Sequence, residues 1–368
     1  MSKIVSVGTA VPRFRYDQER VLNFMQTVYN ISDSESRKLK YLYHQSGINT
    51  RYFAVGDGSS GDRSFYPDKS SEAFPSLECR MKLYEKESLP LSVSAIENCI
   101  KDKLDKDQVT HLITVSCTGM SAPGLDLQIM ETMGLADNIF RTSLNFMGCY
   151  AAIHALKLAD SLCKSDKDAK IIIVCTELCS LHFQKEATPD NLASSMLFAD
   201  GSAAVLVTGD ADPLHGLHIK SFYSKVAFKG KKDMSWQLSS NGFLMTLSAY
   251  IPDLLNEDFN DFTSAALEES GIHKDEITHW CIHPGGKRIL TLLQRSLHKS
   301  ENDLRHAHNI LHEYGNMSSP TVLFVLKEIM DEIAAEDKQV RAPGKQPAVF
   351  GAAFGPGLTM ESFLLSYD

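Results

Sequence analysis

LNFMGCYAAIHALKLADSLCK, residues 144–164, combines a short apolar run, a glycine, a cysteine and an amphipathic pattern. The apolar run predicts a strand that ends at Gly148, and the helical spacing that follows predicts a helix that begins at Cys149. At a helix N-terminus, unpaired N–H groups and the helix dipole favour a thiolate. Cys149 is therefore a candidate nucleophile, although an inert buried cysteine is the commoner meaning of such a pattern.

Other apolar runs alternate with helical patterns along the whole chain. Strand-like runs such as KIVSVG, HLITVSC and KIIIVCTEL precede about residue 210, and HWCIH and PAVFGAA follow residue 277. This alternation predicts an α/β protein with a largely internal sheet. The clustering predicts two halves, residues 1–210 with the cysteine and residues 211–368, joined near GDADPL at 209–214.

Two further motifs place polar side chains at the ends of predicted elements. In ITHWCIHPGGKRILTLL, residues 277–293, a predicted strand ends at His283 and a Pro-Gly-Gly turn leads into a helix. Ligands of α/β sheets bind at such carboxyl ends of strands. In LHEYGNMSSPTVLFVLKEIM, residues 311–330, Asn316 lies in a glycine-containing turn before another helix. Taken alone, His283 could equally serve only its turn, and Asn316 is more typical of a turn residue than of a catalytic one.

A glycine-rich segment near the C-terminus has no nucleotide-binding character. FGAAFGPGLTMESFLL, residues 350–365, reads as a turn between two strands. A phosphate-binding glycine motif requires a helix after the glycines, and no helical pattern follows here. The segment is therefore predicted to be a strand–turn–strand unit.

Bulk properties narrow the classes of function. The composition, with 43% hydrophobic and 23% charged residues, is that of a soluble globular protein. The net charge of -9 argues against nucleic-acid binding. The opening run MSKIVSVGTAVP is too short for a signal peptide or a membrane span. Eight cysteines without a CxxC pair favour a reducing compartment, so we predict a cytoplasmic protein.

A metal site is not predicted. His306, His308 and His312 fall on one predicted helix, and histidines four residues apart can share a metal ion. No cysteine or carboxylate accompanies them in the pattern, so these histidines are predicted to be structural.

Five motifs in this order resemble type III polyketide synthases, the chalcone-synthase-like enzymes of the thiolase superfamily. The motifs are GCYAA, LFADGSAA, HPGGKRIL, EYGNMSSPTVLFVL and FGPGLTMES. The resemblance covers nearly the whole chain, from SKIVSVGTAVP through THLITVSCTGMSAPGLDLQI to the C-terminus. It implies a thiolase-like fold, with a five-layered αβαβα core made of two similar halves, and a homodimer.

The resemblance also implies roles for the matching residues. Cys149 matches the acyl-carrying nucleophile, His283 its partner, and Asn316 the second donor to the thioester carbonyl. Phe198 matches an aromatic gatekeeper, and Gly355-Pro356-Gly357 matches the loop that shapes the cyclisation cavity. A cysteine–histidine ion pair would provide a nucleophile at neutral pH, and the two donors would stabilise an enolate.

The implied reaction is a decarboxylative Claisen condensation of a malonyl thioester, expected to be malonyl-CoA, onto an acyl starter bound to cysteine. Repeated condensation and cyclisation would give a short polyketide. The expected substrates are coenzyme A thioesters. Neither a metal nor an organic cofactor is expected. No membrane span and no nucleic-acid partner is expected.

The carrier of the acyl groups is open at this point. Family members often have basic residues that hold the coenzyme A phosphates where this chain has Lys38, Tyr41 and Gln45. Neighbouring basic side chains could substitute, because phosphate contacts depend on charge within reach, or they could form a solvated helix face. The candidate phosphate-binding residues are Arg37, Lys38, Lys40 and Lys287. An acyl carrier protein is the alternative carrier.

The predicted cavity departs from the family pattern. Its further lining residues are Cys117, Cys179, His182, Trp236, Phe243, Met245 and Ser318. Trp236 falls where the family often has a small residue, which predicts a reduced cavity and a triketide or tetraketide product. His182 is either a second proton donor or a packing residue.

Three alternatives to the polyketide synthase were considered. A ketoacyl-synthase-like enzyme would share the fold and the three catalytic residues but make a single elongation. The order Cys, His, Asn also fits a papain-like hydrolase, but Cys149 lies deep in the chain and no Gln-containing oxyanion segment precedes it. A biosynthetic thiolase would need a second cysteine near FGAAFGPG, which has none.

Overall fold

The computed structural model describes residues 2–29, 31–56, 65–67, 73–337 and 346–367. The strands are β1 (Ser2–Ala10), β2 (Phe14–Asp17), β3 (Thr50–Phe53), β4 (His111–Ser116), β5 (Phe140–Asn145), β6 (Lys170–Leu178), β7 (Asp200–Gly209), β8 (Leu217–Val226), β9 (Met234–Ser239), β10 (Gly242–Leu247), β11 (His279–Ile282), β12 (Ala348–Gly355) and β13 (Thr359–Ser366). The α-helices are α1 (Gln18–Tyr29), α2 (Asp33–Gln45), α3 (Leu77–Ile100), α4 (Leu125–Met133), α5 (Ala151–Ser165), α6 (Pro189–Leu197), α7 (Ile251–Ser270), α8 (Lys287–Leu297), α9 (Arg305–Tyr314) and α10 (Thr321–Asp337).

One mixed sheet connects the two parts of the chain. Its strand order is β11-β12-β13-β8-β1-β7-β6-β4-β5, so strands from the second part occupy one side and strands from the first part the other. They meet where β1 pairs antiparallel with β8, through Lys3 opposite His218 and Ile4 opposite Leu217. Two short hairpins, β2 with β3 and β9 with β10, lie outside this sheet.

Helices cover the strands in layers. Helix α5 contacts β6 and β7 of the first part and β13 of the second, and α10 contacts β1 and β7 as well as β11 and β12. These two helices therefore lie between the two groups of strands, while α3 covers β1, β6 and β7 and α7 packs against β8 and β13. The α/β class predicted from the sequence is confirmed.

Helix α5 shows why the middle layer is stable. Its small and branched side chains, including Ala152, Ile153, Ala155 and Leu156, have no exposed surface. Small residues let the strands approach the helix closely from both parts of the chain. Because this helix begins two residues after Cys149, its burial also fixes the position of that cysteine.

The predicted strands are present, with ends shifted by a few residues, but several elements had not been predicted. They are β2, β3, β8, β9, β10, α1, α3, α4, α6 and α7. Strand β8 alternates only weakly between buried and half-exposed positions, and α3 contains Pro90, which interrupts the helical pattern. Segments with such weak periodicity become regular through tertiary packing.

The proposed boundary at residue 210 falls in the turn between β7 and β8. Because one sheet runs through both parts, the division into halves 1–210 and 211–368 stays a prediction. Among the described helices, none is both long and apolar enough to cross a membrane.

Candidate active site

Cys149 lies in a tight turn between β5 and α5. The preceding Gly148 has a φ of 88°, which favours glycine, and a side chain there would collide with Pro356. Cys149 is 7% exposed, and its Sγ lies 3.5 Å from the hydroxyl of Ser318. The glycine thus lets the Gly355-Pro356-Gly357 loop close over the cysteine, where a side chain at Gly355 would also meet the Cys149 backbone nitrogen.

Asn316 is held in a fixed orientation in which its amide nitrogen makes only one long hydrogen bond among the described residues. Its main chain bridges to the end of α6, because its N–H donates to Leu197 O at 3.0 Å and its carbonyl accepts from Ala199 N at 2.8 Å. The side-chain Oδ1 accepts from Ser318 N at 2.8 Å. This fixes the orientation of the amide, leaving Nδ2 with a long contact of 3.4 Å to Gly285 O. Asn316 is also within hydrogen-bonding reach of the Cys149 thiol.

His283 directly follows β11, with its main-chain N–H donating to Ala352 O. The side chain is buried, at 1% exposure, and neither ring nitrogen has a hydrogen-bond partner among the described residues. Its ring packs edge-on against Phe354, with ring centroids 5.7 Å apart. Phe354 precedes Gly355, where a side chain would meet the Cys149 backbone nitrogen. A buried imidazole without partners is a costly arrangement that a bound substrate could satisfy.

Burial dominates the electrostatics of the three residues. Desolvation raises the pKa of Cys149 to about 12, and it lowers the pKa of His283 to about 3. Both effects favour the neutral form in the free protein. The sequence-based expectation of a resting thiolate stays a prediction: hydrogen bonding with Ser318 and Asn316 lowers the thiol pKa, but burial has the larger, opposite effect.

The raised pKa of the Cys149 thiol predicts how its reactivity depends on pH. Because the pKa of Cys149 is raised to about 12, its thiolate fraction should rise about tenfold per pH unit. The rate of alkylation of Cys149 by iodoacetamide should therefore climb steadily from pH 6 to pH 10, as measured by peptide mass spectrometry. Exposed Cys79 serves as the internal reference in the same samples. A rate that is flat across this range would indicate a cysteine–histidine ion pair instead.

A buried carboxyl group that interacts electrostatically with Cys149 was missed by sequence reasoning. Glu177, near the end of β6, has no exposed surface and accepts hydrogen bonds from Cys117 N at 2.9 Å, Thr118 Oγ1 at 2.7 Å and Ser319 Oγ at 2.8 Å. Burial raises its pKa to about 7. Its position near the carboxyl end of a strand was the available signal.

Arg51, also missed, holds the end of helix α6. Its Nη1 donates to Ser195 O at 2.7 Å and to Phe198 O at 2.8 Å, and its Nε donates to Gln18 Oε1 at 2.9 Å. A guanidinium at a helix C-terminus also interacts favourably with the helix dipole. Arg51 and the Asn316 main chain therefore fix Phe198, the predicted gatekeeper, from two sides.

The cysteine opens onto a cavity of about 130 Å³. Of the predicted lining residues, the structure places these around the cavity: Cys117, Cys149, Cys179, His182, Phe198, Trp236, Phe243, Met245, Ser318 and Pro356. Gly355, Gly357, His283 and Asn316 are not part of its wall. Sequence reasoning missed the wall formed by α1, β3 and Phe183, because no motif marks it.

His182 does not have the geometry of a proton donor to substrate. Its Nε2 donates to Thr118 O at 2.6 Å and its Nδ1 accepts from Phe243 N at 3.1 Å. Burial lowers its pKa to about 3, and its ring stacks on Phe243 at 4.2 Å. Of the two predicted roles, the structure favours packing.

The candidate phosphate-binding residues lie on or near the surface. Arg37, Lys38 and Lys40 are exposed on α2, where Lys40 Nζ lies 3.9 Å from Glu19 Oε1. Lys287 begins α8, and its aliphatic stem packs against Gly47, just beyond the end of α2. The two regions therefore adjoin, and a role in binding coenzyme A stays a prediction.

No group of three or more histidine, cysteine, aspartate or glutamate side chains among the described residues could hold a metal ion. His306 instead interacts with two carboxylates of α10, Glu328 Oε2 at 3.2 Å and Glu332 Oε2 at 2.9 Å. Each ring nitrogen of His306 therefore contacts a carboxylate from a different position of α10.

Comparisons with known proteins agree with this geometry. Residues 1–213 match the family model described as chalcone and stilbene synthases, N-terminal domain, and residues 219–367 match that of the C-terminal domain. The chain is 26% identical to type III polyketide synthase C of Arabidopsis thaliana over 98% of the chain and 94% of the relative. It is 28% identical to probable polyketide synthase 1 of Dictyostelium discoideum, of which it spans 11%. The crystal structure of PKS-I from the brown alga Ectocarpus siliculosus superposes with a TM-score of 0.93 at 28% identity, covering 100% of this chain and 98% of that one.

Proposed function

The chain belongs to the chalcone and stilbene synthase family, with type III polyketide synthases among its relatives, and from this premise we propose how it forms carbon–carbon bonds. An acyl starter is carried on Cys149 and extended with malonyl units from a malonyl thioester. The observation that carries this proposal is the buried His283, whose two ring nitrogens lack partners among the described residues. Together with the oriented amide of Asn316, it supports a site for a thioester oxygen.

In the loading step, the Cys149 thiol attacks the carbonyl carbon of the starter thioester. The thiol proton moves to His283, the new carbon–sulfur bond forms, and the bond to the carrier thiol breaks. The proton then passes to the departing carrier thiolate. Because burial raises the pKa of the Cys149 thiol, a base that takes up the proton assists at the moment of attack.

In the extension step, the malonyl thioester loses carbon dioxide and its thioester becomes an enolate. The Nδ2 of Asn316 and the N–H of a neutral His283 donate to the enolate oxygen. A lowered histidine pKa suits this role, since the neutral ring keeps one N–H group. The enolate carbon then attacks the acyl group on Cys149, the carbon–carbon bond forms, and the cysteine thiolate leaves.

The finer parts of the proposal concern carrier, assembly and location. Coenzyme A is proposed as the carrier, and no metal or organic cofactor takes part. A homodimer is proposed, supported by the edge position of β5, where Phe140 is 71% exposed. A cytoplasmic location is supported by eight free cysteines.

The proposal is tested by incubating the protein with malonyl-CoA and a panel of acyl-CoA starters and weighing the products. Products that contain several malonyl units support a polyketide synthase. A single condensation would indicate a ketoacyl-synthase-like enzyme, and free acid without carbon dioxide release would indicate a hydrolase.

Trp236 is expected to limit product length. Its Nε1 donates to Cys117 O at 2.7 Å, and its ring meets the edges of His182 and Phe243. Trp236→Gly should enlarge the cavity next to the cysteine, so mass spectrometry should detect products with at least one more malonyl unit. Leu238→Gly, at an exposed position of the same strand, is the control. An unchanged product from Trp236→Gly would contradict this role.

A further inference from the structure

We propose that Glu361 in β13 is a positioning residue for the nucleophile. It anchors the first two turns of α5, and this anchoring fixes Cys149 under the Gly355-Pro356-Gly357 loop. The inference rests on the proposed function and deepens it, because it concerns the geometry of the same cysteine. The anchor, here called the Glu361 cluster, consists of Glu361 and three side chains that donate to it: His154, Lys157 and Ser224. None of the four is among the described residues of the cavity wall, so the cluster acts through the residues that it holds.

The carboxylate of Glu361 is buried and accepts hydrogen bonds on both oxygens. The residue is 2% exposed, and its Oε1 accepts from His154 Nε2 at 2.9 Å. Its Oε2 accepts from Ser224 Oγ at 2.8 Å and from the ammonium group of Lys157. Burial acts to raise the pKa of Glu361, but the hydrogen bonds from these three side chains together outweigh it, and the pKa lies below its usual value. Glu361 is therefore an anion that holds donors from both α5 and β8.

The contacts continue to the residue that follows the nucleophile. Tyr150, at the start of α5, lies four residues before His154 on the same face of the helix, with the two ring centroids 5.5 Å apart. The Tyr150 hydroxyl forms a hydrogen bond with Thr359. Thr359 and Glu361 are two residues apart in β13, so they lie on the same face of the strand. One face of the helix is therefore joined to one face of the strand.

These joined faces determine how the glycine-rich loop closes over Cys149. The loop leads into β13, whose first residue, Thr359, donates from Oγ1 to Pro356 O at 3.4 Å. Pro356 packs so closely against Gly148 that a side chain there would collide with it. A side chain at Gly355 would likewise meet the Cys149 backbone nitrogen. Because the packing has no slack, a shift of α5 along β13 would move the sulfur relative to the loop.

Apolar packing alone holds α5 in its layer but does not select its register along the strand. The side chains that the helix buries, such as Ala152, Ala155 and Leu156, make non-directional contacts. A buried ion pair adds little to stability, since desolvation opposes the attraction, but it can select one arrangement of packed elements. The ion pair between Lys157 and Glu361 joins the second turn of α5 to the strand that follows the loop, which is where such selection would align the cysteine.

The test compares the two half-reactions in Glu361→Gln, which keeps the size of the side chain and removes its charge. Acyl transfer from decanoyl-CoA to Cys149, measured by intact-protein mass spectrometry, should fall about 10- to 100-fold, because a displacement of about 1 Å misaligns the nucleophile. Release of carbon dioxide from malonyl-CoA should stay within about twofold of wild type, because His283 and Asn316 are unchanged. Equal loss of both activities, or loss of neither, would overturn the positioning role.

Asp160→Asn is a matched control near the other end of α5. Asp160 is 5% exposed and also accepts from a lysine and a serine, Lys164 Nζ at 2.6 Å and Ser2 Oγ at 2.8 Å. The variant should lower the melting temperature, as Glu361→Gln does, yet leave acyl transfer within about twofold of wild type. Slowing equal to that of Glu361→Gln would mean that any loosening of α5 impairs transfer, which would contradict a specific role of Glu361.

A second variant covers the case in which Glu361→Gln does not fold. The double variant Lys157→Met with Glu361→Leu removes both charges, so it leaves neither partner buried and unpaired, and it should fold. It should show slowed acyl transfer with retained carbon dioxide release. Acyl transfer at the wild-type rate in the double variant would overturn the inference.

Alkylation by iodoacetamide distinguishes failure of this inference from failure of the proposed function, because it needs no thioester. With Cys79 as the reference, the alkylation rate of Cys149 at pH 8 should rise at least about threefold in the double variant, since the loop no longer closes over the sulfur. Such a rise, without any acyl transfer by the wild type, would overturn the proposed function and support the positioning role. An unchanged alkylation rate would overturn the positioning role, whether or not the wild type transfers acyl groups.

Discussion

Replacement of Cys149 by alanine is expected to abolish acyl transfer to the protein and product formation, lowering turnover by at least about a thousandfold. The reason is that condensation needs the acyl group held as a thioester next to the enolate. Cys149→Ser, which keeps the shape but replaces the sulfur, should also fail to extend chains, because an alkoxide is far harder to form than a thiolate in a buried site. The measurement is product mass from malonyl-CoA and decanoyl-CoA.

A matched control for this experiment is Cys79→Ser, at an exposed position at the start of α3. It should retain wild-type activity, which would show that loss of a thiol as such is harmless. Chain extension by Cys149→Ala at more than a few per cent of the wild-type rate would remove the basis of the proposed mechanism.

Asn316→Asp is expected to separate the two half-reactions. The substitution preserves the shape and the oxygen that accepts from Ser318 N, but it replaces the Nδ2 donor with an acceptor. Stabilisation of the enolate should therefore be lost, and release of carbon dioxide from malonyl-CoA should fall by about 100- to 1000-fold, equivalent to roughly 2.7–4 kcal/mol. Acyl transfer to Cys149 should persist within about tenfold of wild type, because His283 is unchanged.

Carbon dioxide release and acyl transfer are measured on the same samples, with Asn309→Asp on α9 as the control outside the site. If decarboxylation continued at the wild-type rate in Asn316→Asp, the enolate oxygen would have to be stabilised by other donors. If acyl transfer failed to the same degree as decarboxylation, Asn316 would be needed for folding or binding rather than for the enolate.

Local motifs marked the positions of the candidate catalytic residues, because each lies at the end of a strand or before a helix that its own sequence marks. The catalytic role of Asn316 was predicted only from the resemblance to type III polyketide synthases. Cys149 before α5, His283 after β11 and Asn316 before α10 are all in this class. The α/β class followed from the same alternation of elements. These features depend on short-range patterns that a single sequence contains.

Other features depend on tertiary packing, and no local sequence pattern predicts them. One wall of the cavity combines side chains from α1, β3 and Phe183, which are distant in sequence. The ionisation of Cys149 was predicted from the helix dipole, which is a local effect, whereas its raised pKa comes mainly from burial by the rest of the chain. The contacts of Arg51 with the end of α6 likewise join positions more than a hundred residues apart.

The antiparallel pairing of β1 with β8 has a consequence for chimeric proteins. Cys149 belongs to the part of the chain before this seam, and His283 and Asn316 belong to the part after it. Lys3, which pairs with His218 at the seam, also donates through Nζ to Asp210 O in the connecting turn. A hybrid that takes one part from a relative must therefore inherit compatible residues at the seam. Otherwise each part would fold correctly, but the nucleophile of one part would be misaligned with the two donors of the other.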